Sequence, residues 1–320
     1  MSWDHLLDQL TWLGGIATRD QLVVDKRTLR QAVEGGVVRR VSRGRYALPS
    51  VAEARVRAAA VGGVLSHVSA AVDYGWPVAR GPMATHVTVP RGRRVRATPG
   101  VVIHRGTVQA GEWEAGRTDP IRTVLDCSRV APFGQALAVA DSALRCGSVS
   151  DEQLVRAAAQ ARAPGVPAAR RVAGCASAAA ANPFESGARA IAIDVPLLTV
   201  QPQVVIEGPG LWARVDLADL RWGLVLECDG YEFHSGPDRF ARDRRRYTGL
   251  ARLDWVVFAY VWQDVFQAAE QTTAELSDWV ARQAALFPAD RYPGGRPGVW
   301  SRTHRVPNDI QCPRGDGYVA

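Results

Sequence analysis

Along the first fifty residues the apolar positions Leu6, Leu7, Leu10 and Leu13 recur at helical spacing and predict a helix that stops at Gly14 and Gly15. Thr18 and Gln21 have capping-box spacing for a second, short helix, and Asp25 is placed to cap a third that runs through Leu29 and Val33 to Gly35 and Gly36. The pattern then becomes extended. Residues 37–41 and 45–48 flank Ser42, Arg43 and Gly44 as a hairpin, so residues 1–50 read as three helices and a β-ribbon, a winged helix. Residues 51–160 open with an Ala- and Arg-rich helix and alternate short strands, such as 86–90 and 101–105, with helices, a mixed α/β middle domain. Residues 161–182 are rich in Ala, Arg, Pro and Gly and read as a linker.

Residues 183–285 carry a second α/β pattern. Pro183 to Gly187 lead into a helix over 188–195, with strands next at 204–206 and 213–217. Residues 223–230 read as a further strand whose nearly continuous apolar run predicts a central place in a sheet. A helix over 237–252 with Phe240, Tyr247 and Leu250 on one stripe precedes a strand at 255–260. The fold class expected is α/β multidomain, and residues 286–320, dense in Pro, Gly and Arg, read as an extended tail.

Charge sharpens this picture. The 320-residue chain has a net charge of +7, which favours an acidic partner, nucleic acid first. The cations are almost all arginine, with Lys26 the single lysine. A GC-rich genome also produces an arginine excess, so placement of the charge decides between the two explanations. Lys26, Arg27 and Arg30 fall on the exposed start of the third helix and Arg39, Arg40, Arg43 and Arg45 on the hairpin, the two surfaces a winged helix lays on a duplex. The same pattern also suits a solvated protein-interaction module. Arg91, Arg93, Arg94 and Arg96 form a basic loop between strands, open to a phosphate backbone or simply to water.

The five cysteines show no C-x-x-C pair, and no stretch approaches the roughly 20 apolar residues of a membrane span. A cytoplasmic protein with no membrane partner is expected. His67, His86 and His104 match no paired-ligand spacing and read as structural residues.

Acidic residues ending a central strand call for a reason. Glu227 and Asp229 project to one face of their strand, and Asp216 lies on the preceding strand of a hairpin turning near Arg221 and Trp222. Three converging carboxylates repel one another, a cost relieved by a hard divalent cation, Mg²⁺ or Mn²⁺, of the kind that activates water for phosphodiester hydrolysis. The alternative is that Asp216 or Asp229 pairs with an arginine or caps a turn.

Two resemblances add to this. Residues 14–18, the third helix and above all residues 36–48 resemble the winged helix of AbiEi-type antitoxins, repressors of type IV toxin–antitoxin operons, and residues 51–160, including 120–126 leading into a helix, resemble the segment C-terminal to the winged helix in those proteins. From about Asn182 to Gln267, Glu227-x-Asp229-Gly230 before His234, then Asp243-Arg244 and Leu253-Asp254-Trp255, resemble the DUF559 family of very-short-patch-repair-like endonucleases in the PD-(D/E)xK superfamily. That resemblance implies a restriction-endonuclease-like core with Asp216 and Glu227 as metal ligands and Glu185 as the helix glutamate beside the site. Asp229 stands where that superfamily usually has a lysine. Three explanations stay open: His234 orients the water, with Asp243 and Arg244 in support; Asp229 is a further ligand in a two-metal site; or the site is inactive. The expected function is a Mg²⁺- or Mn²⁺-dependent DNA endonuclease targeted by the winged helix, in repair or defence. The alternative is a non-catalytic DNA-binding regulator or antitoxin, with DNA and a cognate toxin as partners.

Overall fold

The structure is a computed structural model that describes residues 3–13, 16–42, 44–162, 164–229 and 237–287. It is mixed α/β and divides into two compact units, one up to Ala178 and one from Ala179.

The first unit begins with α1 (Asp4–Trp12), β1 (Ile16–Thr18), a 3-10 turn (Arg19–Gln21), α2 (Lys26–Glu34), β2 (Arg39–Ser42) and β3 (Arg45–Ala47). Leu6 and Leu10 of the predicted stripe are buried with Leu22, Leu29 and Val38. Asp25 caps α2, its carboxylate accepting the N–H groups of Arg27 and Thr28. The second predicted helix is only the 3-10 turn. Thr18 is taken instead by the sheet, where it pairs with Arg45, and the Arg19 N–H donates to Gly44 O, so the chain runs on extended where a cap was expected. The strands form an antiparallel sheet in the order β1-β3-β2.

The same unit continues with α3 (Pro49–Val61), β4 (Val64–Leu65), α4 (His67–Asp73), β5 (Thr85–Pro90), β6 (Val101–Gly106), α5 (Ala110–Ala115), α6 (Pro120–Val130), α7 (Phe133–Arg145), α8 (Asp151–Gln160) and α9 (Val166–Cys175). Strand β5 is central, antiparallel to β4 and parallel to β6. Trp76, Val124, Leu154 and Val172 lie at the heart of the helical core. The segment expected as a linker therefore contains a packed helix: Ala169, Val172 and Ala173 of α9 are buried at i, i+3, i+4 spacing. Pro167 sits in its first turn, where a missing N–H costs nothing.

The second unit comprises α10 (Pro183–Ile193), β7 (Gln201–Gly208), β8 (Leu211–Asp219), β9 (Leu224–Cys228), α11 (Pro237–Arg252), β10 (Val256–Tyr260), α12 (Trp262–Phe266) and α13 (Ala269–Leu286). Helix α10 starts at Pro183, five residues before its expected start, because the Asn182 side chain accepts the N–H groups of Phe184 and Glu185. The sheet order is β10-β9-β8-β7, with β7, β8 and β9 antiparallel and β10 parallel to β9, as a helical crossover through α11 permits. Leu217, Leu224 and Leu226 pack in one core with residues of α10 and α13, whereas Val215, Val225 and Trp255 pack in another with Leu250 of α11. The apolar run of β9 is thus buried on both faces. Among the described residues no helix is long and apolar enough to cross a membrane.

Candidate active site

The β8–β9 register pairs Leu217 with Leu226, so the next pair along is Asp216 with Glu227. Strand β8 keeps its register with β7 on both sides of Asp216, but it slips here in the face that its side chains take. Ala213 and Val215 belong to the core that includes α11, Leu217 to the opposite core and Ala218 to the first again, which breaks strict alternation around Asp216. Opposite the slip, Gln203 of β7 has φ +55°, a left-handed conformation unusual for a side-chain-bearing residue. Asp216 Oδ2 accepts the Cys228 N–H at 2.8 Å, replacing a ladder bond with a side-chain one.

Glu227 is almost fully buried, with a side-chain exposure of 3%. Its Oε2 accepts from Arg246 Nη2 at 3.0 Å. Its Oε1 is buried and meets no hydrogen-bond partner among the described residues. Burial foremost, then the charge of Asp216, pushes the Glu227 acid up to about 8, although Arg246 works against the rise. Burial also raises Asp216, opposed by the Cys228 N–H and by Arg246. Asp229 is more exposed and turned aside, with Tyr247 OH donating to its two oxygens at 3.1 and 3.0 Å.

Glu185, on the first turn of α10, is 2% exposed and held by the Asn182 amide at 2.7 Å, the Ala181 N–H at 2.8 Å and Gln203 Nε2 at 2.9 Å. The acid that caps the β8–β9 turn is Asp219, which accepts from the Arg221 and Trp222 N–H groups. His234 lies outside the described residues. Asp243 is on α11 with its side chain outside them, and Arg244 is exposed. Among the described side chains of α11, Arg246 and Tyr247 reach the carboxylates, and the sequence pattern did not single them out for the site. They precede the buried Leu250 by four and three residues, the helical spacing that puts them on its sheet-facing side.

The structure thus joins Asp216 to Glu227, with Glu185 held by Gln203 opposite the slip and Asp229 at the rim. A buried acid pair with an orphaned oxygen fits either a shared proton or a hard divalent cation, whose oxygen preference matches the donors. In the first unit Lys26, Arg27 and Arg30 on α2 and Arg39 and Arg40 on β2 are exposed. Arg45 is on β3 with its side chain outside the described residues, and Arg43 lies outside them altogether.

The histidines expected to be separate structural residues are brought together. His67 opens α4 and His86 and His104 stand on β5 and β6, their ligand atoms within 4.8 Å of one another. Burial lowers all three, His67 to about 2 and His104 to about 4. Local spacing could not show this, because parallel pairing of β5 with β6 makes the contact.

No family model matches the chain. Of the solved structures, that of the RV2827C protein from Mycobacterium tuberculosis is similar over 59% of this chain and 80% of that one, at 14% identity and a TM-score of 0.27. Over 214 residues the chain is 32% identical to the uncharacterized proteins MT2308 and Rv2248 of Mycobacterium tuberculosis, strains CDC 1551 / Oshkosh and ATCC 25618 / H37Rv. The alignment spans 65% of this chain and 78% of each of them, and at that identity and coverage the chain belongs to the family of these mycobacterial proteins.

Proposed function

We propose that the second unit is a metal-dependent DNA endonuclease core of the PD-(D/E)xK type, directed to its substrate by the basic N-terminal winged helix. The observation that carries this is the Asp216–Glu227 pair, a half-buried and a buried acid facing each other on adjacent central strands, the buried one with an oxygen that has no partner among the described residues. The order helix, three antiparallel strands, helix, then a fourth strand parallel to the third supports it, as the arrangement of the restriction-endonuclease core. Asp216 and Glu227 would hold Mg²⁺ or Mn²⁺, which supplies Lewis-acid polarisation of the scissile phosphate and a lowered pKa for the attacking water. The chain's own residues do the rest. Glu227 gives up its proton to become a ligand. Arg246, released from Glu227, is a planar donor suited to a phosphodiester oxygen. Glu185 with Gln203 buttresses the slipped strand that presents Asp216. Orientation of the water falls to Asp229 or His234, because Lys26 is the only lysine and belongs to the other unit.

Plasmid nicking with Mg²⁺ or Mn²⁺ tests this: wild type is expected to cut, and Asp216→Ala and Glu227→Ala to lose at least 100-fold in rate. Intact plasmid with either metal, or variants that cut as fast as wild type, refutes the assignment. One observation favours a second reading, a non-catalytic DNA-binding regulator or antitoxin. Arg246 already pairs with Glu227, and Tyr247 already holds Asp229, so both acids have protein partners without a metal. Sequence-specific DNA binding by a protein that cuts nothing would support that reading.

A further inference from the structure

We propose that His67, His86 and His104 form a second metal site, in the first unit, that takes one Zn²⁺ or a similar nitrogen-preferring ion. Three imidazoles without a carboxylate or thiolate are a borderline donor set, suited to Zn²⁺, Co²⁺ or Ni²⁺ and poor for Mg²⁺. His86 Nδ1 and His104 Nε2 are 3.0 Å apart. Two nitrogens bound to one tetrahedral zinc stand ~3.3 Å apart, given Zn–N bonds of about 2.0–2.1 Å. Replacing the shared proton by the ion therefore needs only a small opening. The parallel register explains why both rings share a face: His104 pairs with Thr88, two residues beyond His86.

The third ring has its own support. His67 Nδ1 lies 2.9 Å from Ser66 Oγ, and with the proton on Nδ1 the bare nitrogen is Nε2. Its ring stacks on His104 at 3.6 Å between centroids, so ligation requires it to rotate out of that stack. His67 opens α4 with φ +54°, a left-handed conformation unusual for a side-chain-bearing residue and of the kind found at functional sites. Ser69, on the same helix, accepts the His86 N–H at 2.9 Å and ties α4 to β5. The nearby cations do not bar entry of a dication. Arg122 is bonded to Glu112 and Asp126, and Arg129 to Asp126.

Three protein ligands leave a coordination position free, as in catalytic rather than structural zinc sites. His67 and His104 line a cavity of about 770 Å³ whose wall also carries Arg91 and Arg105, beside Arg122 and Arg129, which are paired with Asp126. An anionic group, a phosphate or carboxylate, is the ligand class that matches both the open position and this wall.

The test uses the untagged full-length chain, stripped with a chelator, then titrated with Zn²⁺ against a chromogenic competitor and separately with Co²⁺. Wild type is expected to take up one tight equivalent of Zn²⁺ and to give the visible absorption bands of tetrahedral nitrogen-bound Co²⁺. Excess Mg²⁺ should not displace either, and the double variant Asp216→Ala, Glu227→Ala should keep both. His86→Gln and His104→Gln are expected to weaken Zn²⁺ at least 100-fold. Ser66→Ala, which leaves every ring in place, is expected to weaken it 10- to 100-fold. Absence of a tight equivalent and of the Co²⁺ bands in wild type overturns the proposal whatever the variants do. Retention of the site in folded His86→Gln and His104→Gln overturns it equally.

Discussion

Glu227→Gln isolates the electrostatics of the carboxyl pair. In the metal-free protein Glu227 is held at about 8, against an ordinary 4.5, chiefly by burial. An acid raised in this way binds its proton more tightly in the folded chain than in the unfolded one. Its contribution to stability is fully present below pH 4.5 and is lost as the pH rises through about 8. At about 1.4 kcal/mol per pH unit the ceiling is roughly 5 kcal/mol, and relaxation with water entry reduces it to about 2–4 kcal/mol. Glutamine keeps the shape and an oxygen for Arg246 but has no proton to lose. It should match wild type at pH 5 and exceed it at pH 8.5. Because the chain has two units, a single melting transition does not isolate this one, so hydrogen–deuterium exchange of peptides over β8 and β9 in the presence of a chelator is the suitable assay. Comparing the two proteins at the same pH cancels the intrinsic exchange rate. Exchange in the variant should be within about 3-fold of wild type at pH 5 and at least ~30-fold slower at pH 8.5, from about 1.4 kcal/mol per tenfold. A ratio that does not change with pH refutes the claim that Glu227 is buried as an acid.

Two other predictions concern packing and DNA. A Cβ on Gly187 would stand 2.4 Å from the Phe266 ring and 2.6 Å from Val265, so Gly187→Ala should push α10 off α12 and cost about 1–3 kcal/mol, seen as faster exchange in both helices with the first unit unchanged. If Lys26, Arg27 and Arg30 each neutralise a phosphate, replacing all three by alanine lowers the slope of log K against log salt by about 2.7, near 0.9 per contact. An unchanged slope in a salt titration of DNA binding would place the contacts elsewhere.

Features written locally in the chain were readable from it. Strand β9 announced itself because burial on both faces leaves a continuous apolar run, and Glu227 stood out as an acid at its end. Asp25 was readable because a cap acts on residues two and three positions away. What escaped depends on partners distant in sequence. Helix α9 hid because Ala residues on a buried face look like linker composition until the facing helices are known. The slip in β8 is paired with the left-handed Gln203 across the sheet, and strict alternation would have missed it. The histidines lie 19 and 18 residues apart and meet only through the parallel pairing of two strands and the helix that opens against them.

Arg246 is where local and distant information meet, and it reframes the missing lysine. Along the chain, Asp229 at the lysine position leaves the site one cation short. In the fold a cation is present, brought by α11 to the buried Glu227 and not by β9 to the rim. Its position differs in consequence as well as in origin. A lysine two residues after the acid leaves that acid free for a metal, whereas Arg246 bonds the very oxygen set a metal would use. Proton, arginine and divalent ion therefore compete for one carboxylate whose charged form burial already disfavours. If the site takes the proposed metal, occupancy would be linked to deprotonation of Glu227 and to release of Arg246, and loading would be coupled to the arrival of a phosphate able to take over the freed guanidinium. On the proposed nuclease reading, the departure from the lysine pattern is then no evidence of a dead site by itself; it would describe a site in which metal and anionic substrate assist each other's binding.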